Sequence, residues 1–268
     1  MQNVTLADGT VIRDLASQRE LAEAVRLQEE TWGEDFSERV PAAILMVGQK
    51  IGGVSAGAFS PDGRMLGFVF GLTGVRDGRL VHWSDMLAVR PEARGRHLGE
   101  ALKRFQRDHC AELGVEVMYW TFDPLVSRNA HLNLNRLGAR VEEFVPDMYG
   151  ADTHSRMHAL GTDRFVVAWP IGTEPVTAPP IRESLAGASV VGGASGDAPA
   201  AEAPLPDAPV VAVRIPRDYH ALVDSDIAQA GSWRSSARRA FLHYLPGGYR
   251  VTAFVPHPVA AYLLTREA

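Results

Sequence analysis

The sequence predicts an α/β (α+β) fold, a mixed β-sheet flanked by helices, followed by a small C-terminal β-α-β-β unit. Three observations carry this. Strand-like and helix-like runs interleave over residues 1–170 in the order β-α-α-β-β-β-α-β-α-β-β. A Gly- and Arg-rich loop joins a strand ending at Val89 to an amphipathic helix starting near Leu98. After Pro170 the composition turns to Ala, Pro, Gly and Ser, and periodic structure resumes only at Val210. The expected division is therefore a domain over 1–170, a linker over 171–209 and a small α/β unit over 210–268.

Each element has its local reason. Thr10–Asp14 is a short β-type run. Ser17 can cap the next helix, and Glu20 stands at the capping-box spacing. Leu21, Ala24, Val25 and Gln28 keep helical spacing up to Trp32, and Pro41 can open a second helix through Met46 and Val47. Ile51–Phe59 and Met65–Leu72 form a hairpin around the turn residues Pro61, Asp62 and Gly63. Asp77-Gly78 opens a third strand, Val81–Val89. Leu98, Leu102, Phe105 and His109 mark a helix ending near Gly114, and Val115–Phe122 is an apolar strand stopped by Asp123-Pro124. Ser127 can start one helix through Leu137, with Gly138 at its C-terminal end. Strands near 140–144 and 165–169 close the domain. In the linker one helical turn is expected near Ile181–Leu185. The tail reads as strand 210–215, one helix over about 225–244, and strands 249–255 and 260–264.

Bulk properties exclude several functions. The 268 residues carry a net charge of −5, against the basic field of a general nucleic-acid binder. The tail helix holds Trp233, Arg234, Arg238, Arg239 and Phe241, which reads as core packing with solvated arginines. A single cysteine, Cys110, rules out an intrachain disulfide or a cysteine-rich metal site, and no metal is expected. It reads as a buried, inert thiol. No basic leader precedes an apolar run, and no stretch has the length to cross a bilayer. The expected location is the cytoplasm. Lys50 and Lys103 are the only lysines.

The chemistry concentrates in Asp85 to Glu100. A strand ends, the chain turns through glycine and arginine, and a helix begins. Backbone N–H groups in such a loop converge, and the helix N-terminus adds partial positive charge. That makes an anion site suited to a pyrophosphate, with Arg94 and Arg96 beside it. Asp85 is a candidate general base, and His82, on the opposite face by period two, is a second. Tyr149 is a candidate proton donor. His82, Ser84 and Asp85 lie too close on one strand for a nucleophilic triad, which excludes hydrolase chemistry of that type.

Arg94-Gly95-Arg96-His97-Leu98-Gly99 resembles the pyrophosphate loop of the GNAT superfamily of N-acetyltransferases. Leu87-Ala88-Val89 is similar to the superfamily strand that pairs with the pantetheine arm. Asn129-Ala130 and Arg136-Leu137-Gly138-Ala139 resemble its second motif. The likeness covers roughly residues 10–170. It implies a splayed sheet, an acyl-CoA donor (acetyl-CoA or another acyl-CoA) and transfer to a primary amine. It further implies that Leu87, Ala88, Val89, Arg94, Gly95, Arg96, His97, Leu98, Gly99, Glu100 and Asn129 contact the donor. Two positions depart from the pattern. His97 stands where glycine is usual, with a helical φ expected to leave its N–H available. Leu134 stands where many members carry the tyrosine that protonates the leaving thiolate.

Thr121-Phe122-Asp123-Pro124-Leu125, Asp147-Met148-Tyr149-Gly150 and Thr162-Asp163-Arg164-Phe165 resemble a bacterial GNAT branch. Some of its members are associated with N-acylamino-acid racemases and with N-succinylation of amino acids. The expected partner is thus a small-molecule amine, with no nucleic acid and no membrane. A homodimer is left open. The rival readings are a non-catalytic acyl-CoA-binding regulator and an acetyltransferase acting on protein lysine or on aminoglycosides.

Overall fold

In the computed structural model the described residues are 3–34, 36–150, 160–171, 185–191 and 204–266. The expected mixed α+β architecture is present. Among the described residues the larger sheet has eight strands. The chain forms two compact units, residues 1–120 with 169–175, and residues 121–168 with 176–268.

The first unit begins with β1 (Val4–Thr5) and β2 (Val11–Asp14), followed by α1 (Gln18–Trp32). Ser17 Oγ accepts from the Glu20 N–H at 3.3 Å, and Glu20 returns a bond to the Ala16 N–H at 2.8 Å. This is the expected capping box with its return arm one residue earlier. Then come α2 (Ala42–Lys50), β3 (Val54–Phe59), β4 (Met65–Arg76) and β5 (Arg79–Val89), the three strands antiparallel in sequence. Leu21, Ala24, Leu27, Leu45, Phe68, Phe70, Met86 and Ala88 form one buried cluster. Helix α3 (Leu98–Glu112) follows, and β6 (Val117–Phe122) pairs parallel with β5.

Two features of β5 position the site. The pairing register jumps from Phe70↔Met86 to Gly71↔Ser84, so Asp85 is the extra residue of a β-bulge. The bulge exchanges the faces of the strand. Before it, Ser84 turns to α3, where it meets Lys103. After it, Met86 and Ala88 join the cluster of α1 and α2. The second feature is that β6 follows β5 only over Val81↔Val117, His82↔Met118 and Trp83↔Tyr119. Beyond that point, among the described residues, β5 pairs with β4 on one edge alone, which is the expected splay. Gly71 is needed beside the bulge, since a Cβ there would lie 2.3 Å from His82 Nε2 and 2.6 Å from the Trp83 carbonyl oxygen.

The second unit contains α4 (Ser127–Ala130), β7 (Arg140–Val145), β8 (Arg164–Pro170), β9 (Ser189–Val191), β10 (Val210–Arg214), α5 (Tyr219–Ser225), α6 (Ile227–Tyr244), β11 (Tyr249–Val255) and β12 (Ala261–Arg266). Strands β7 and β8 pair antiparallel, and a second sheet has the order β11-β12-β10-β9. Phe165 anchors the aromatic core, with Phe241 at 4.7 Å and Tyr262 at 5.3 Å between ring centroids.

Two expectations are corrected here. The helix from Ser127 is not uniform: after Ala130 it widens into a π-helix over His131–Arg136, and Asn135 donates to the Phe254 carbonyl at 3.0 Å. The linker contributes β9, parallel to β10, although the helical turn expected near 181–185 falls almost wholly outside the described residues. The tail helix expected over about 225–244 is present as α6, capped by the Asp226 carboxylate through the Gln229 N–H at 2.9 Å, and a further helix, α5, precedes it. Among the described residues, no helix is long and apolar enough to cross a membrane, and no group of three or more His, Cys, Asp or Glu could hold a metal ion.

Candidate active site

The sequence of β5 and its exit loop builds an open strand edge leading into a helix N-terminus. The Arg90 N–H bonds the Leu66 carbonyl at 2.8 Å. Alternation along an antiparallel strand then turns the N–H and C=O groups of Leu87 and Val89 to the other edge, where β6 has parted. The Val89 carbonyl there accepts from Arg94 Nε at 3.2 Å. Buried Arg90 fixes the start of the loop. Its Nε donates to the Met65 carbonyl at 2.9 Å, and its guanidinium pairs with Glu23 and Glu30.

After a 3₁₀ turn over Pro91–Ala93, Gly95 and His97 both take positive φ, 78° and 57°. The expectation of a helical φ at His97 is therefore corrected: it is left-handed, which explains why glycine would suit this position. Ala101 is the first residue of α3 to bond back, to the His97 carbonyl at 3.0 Å. Among the described residues, the N–H groups of Gly95 to Gly99 have no backbone acceptor. Arg94 and Arg96 are exposed beside them, and Glu100 is held by Arg104 at 2.9 Å. A left-handed residue followed by the first turn of a 15-residue helix is a nest for an oxyanion. With the open edge at Leu87 and Val89 beside it, this part of the chain can take an anion and pair with an extended polar arm. His97→Gly should keep CoA affinity within tenfold, because glycine takes this backbone geometry without strain. Calorimetric titration checks this, and a larger loss would give the imidazole a direct contact.

The candidate bases differ sharply. Asp85, on the bulge, is solvent-accessible, yet surrounding protein raises its carboxyl pKa, with Lys103 pulling the other way. A carboxylate at the wall of a recess has this combination of access and partial desolvation. His82 is fully buried beneath α3. Thr73 Oγ1 gives its one proton to the Gly52 carbonyl at 2.7 Å, so His82 Nδ1–H donates to that oxygen at 3.0 Å. Burial, helped by Lys103 and His109, pushes the imidazole down to about 3. His82 stays neutral at working pH and has no access to substrate, which suits a positioning role. Tyr149 lies in the second unit, half exposed, its hydroxyl 3.0 Å from Thr121 Oγ1 and its ring 5.2 Å from the Arg164 guanidinium. Asn129, also in that unit, sits in the first turn of α4 with its N–H on the Val126 carbonyl. Leu134 is buried in the π-helix and offers no proton.

Sequence reasoning missed Lys103. Its buried Nζ donates to Ser84 Oγ at 2.7 Å and lies 4.1 Å from the centroid of the Trp120 ring. The signal was a polar interruption of the buried stripe of α3, where Lys103 and Gln106 stand between Leu102 and Cys110. Cys110 is a buried free thiol with its pKa raised to about 12 by burial, as expected for an inert cysteine.

Solved structures of acetyltransferases resemble the chain in fold. A candidate acetyltransferase from Acinetobacter baylyi matches with a TM-score of 0.51 at 14% identity, covering 65% of this chain and 97% of that one. The GNAT superfamily phosphinothricin acetyltransferase of Sinorhizobium meliloti, in complex with acetyl-CoA, gives 0.49 at 18% identity over 62% of this chain and 93% of that one. A candidate acetyltransferase from Salmonella typhimurium, with acetyl-CoA, gives 0.49 at 17% over 62% and 95%. At these identities the likeness is one of fold. No family model matches the chain, and a search of curated proteins found no match.

Proposed function

We propose that this protein is an acyl-CoA-dependent N-acyltransferase that acylates a primary amine. The observation that carries the reading is the bulged strand β5. It opens away from β6 just past Trp83 and leads straight into the unpaired N–H groups of Gly95 to Gly99. The nest and Arg94 and Arg96 hold the donor's pyrophosphate. The free edge at Leu87 and Val89 pairs with its amide-bearing arm, and an N–H of that edge stabilises the oxyanion of the tetrahedral intermediate. Asp85 takes the proton from the acceptor's ammonium, directly or through water, so that the amine can attack the thioester carbon. The C–S bond then breaks, and the second proton that the nitrogen gives up on becoming an amide passes through water to the departing thiolate.

We infer that the acceptor is a small amine such as a free amino acid and the acyl group acetyl or succinyl, as the resemblance of 121–125, 147–150 and 162–165 implies. The test is thiol release from acetyl-CoA and succinyl-CoA across amino acids, amines, peptides and aminoglycosides. Release with one amino-acid class supports the reading. Release only with peptides or aminoglycosides moves the acceptor class. CoA binding with no release on any amine would make the protein an acyl-CoA-binding regulator, a reading that Leu134 in place of the usual tyrosine favours.

A further inference from the structure

We propose that Lys103 is a positioning residue of this site: its ammonium ties β5 to β6 at the apex of their divergence and sets the protonation of Asp85. This deepens the acyltransferase reading and rests on it. The geometry is specific. The β5–β6 ladder ends at Trp83↔Tyr119, so Ser84 and Trp120 are the first residues of the two strands beyond its end. Lys103 Nζ reaches both of them, donating to Ser84 Oγ at 2.7 Å and meeting the Trp120 ring at 4.1 Å. It therefore fills the point from which the strands part, one residue before the bulge at Asp85. A buried ammonium needs such partners, because a desolvated charge without them is costly.

The electrostatics around Nζ point to Asp85. Burial pushes the Lys103 amine down to about 7, while Cys110 and Asp85 hold it up. Cys110 remains a neutral thiol until about pH 12, and His82 is neutral above about pH 3. Of the groups coupled to Lys103 from β5 and from α3 itself, Asp85 is thus the one carrying charge near neutrality. The coupling is mutual, since Lys103 lowers the carboxyl pKa that burial raises. A protonated Lys103 keeps Asp85 an anion able to accept a proton, and loss of that proton as pH rises lets the Asp85 pKa climb.

The test compares Lys103→Met and Lys103→Gln with the wild type. Methionine fills the slot beside Trp120 without charge, and glutamine keeps a donor toward Ser84 without charge. The first readout is the Asp85 carboxyl titration by carbon-13 NMR, assigned with Asp85→Asn. Both variants should raise its midpoint, and Lys103→Gln should keep acyl-CoA affinity within threefold. The second is thiol release against pH, whose acidic limb should move upward in both variants. An unchanged Asp85 midpoint in a folded variant would overturn the proposal, as would an unmoved limb. If Lys103→Met fails to fold, Lys103→Gln decides. If the wild type releases no thiol, the acyltransferase reading fails by itself, and the Asp85 titration still judges the coupling.

Discussion

Asp85→Asn is expected to slow acyl transfer at pH 7 by about 10²–10⁴-fold while leaving acyl-CoA affinity nearly unchanged. The amide keeps the shape of the side chain but cannot accept the proton of an ammonium. The deficit should shrink as pH rises, because more of the acceptor amine arrives deprotonated. In the wild type the acidic limb should lie above the ordinary carboxylate range, since the surrounding protein raises the Asp85 pKa. The sign for stability follows from the same shift. A carboxyl whose folded pKa is raised loses stability for the fold as pH climbs through that pKa. The asparagine variant should therefore be at least as stable as the wild type at pH 7. A purely structural aspartate would behave in the opposite way, with normal turnover per folded molecule and a lower melting temperature.

Arg234→Ala should produce the largest loss of stability. In the second unit Arg234 grips Asp123 through two bonds, Nη1 to Oδ1 at 2.9 Å and Nη2 to Oδ2 at 2.5 Å, with both residues shielded from solvent. Burial acts to raise the Asp123 pKa, but the guanidinium outweighs it and the carboxyl sits below its usual value. Removing the arginine leaves an uncompensated buried charge, at a cost of about 3–5 kcal/mol. The pair's contribution is present above the unfolded carboxyl pKa and lost as pH falls through the depressed folded value, so the penalty should diminish in acid. Urea unfolding at pH 7 and at points from pH 4 down to about pH 2 measures both. The double replacement Asp123→Asn with Arg234→Met should recover most of the loss, because no charge is then left buried.

That ion pair also marks where sequence reading stopped. The tail arginines were expected to be solvated, and Arg234 and Arg238 are instead ion-paired, Arg238 with Asp147 and Asp163. The partners lie between 75 and 111 residues away in sequence, and no local periodicity reports so distant a contact. What local physics dictates was legible: the Ser17–Glu20 cap, the Asp77-Gly78 turn, the glycine–arginine loop and the helix after it. The bulge at Asp85 was not, because it depends on how β4 and β5 register against each other and not on either run alone. Lys103 was hidden for a related reason. A lone lysine on a mostly apolar stripe reads as a solvated edge until the tertiary fold places Ser84 and Trp120 around it.

The most direct test of the central claim is amide hydrogen exchange of the chain with and without CoA. Slowed exchange is expected at Gly95 to Gly99, whose N–H groups at the start of α3 have no backbone acceptor among the described residues, and along the open edge at Leu87 and Val89. Arg94→Ala and Arg96→Ala should weaken that protection at the loop. Exchange at Gly95 to Gly99 that is unchanged by millimolar CoA would contradict the claim that this loop holds the acyl donor.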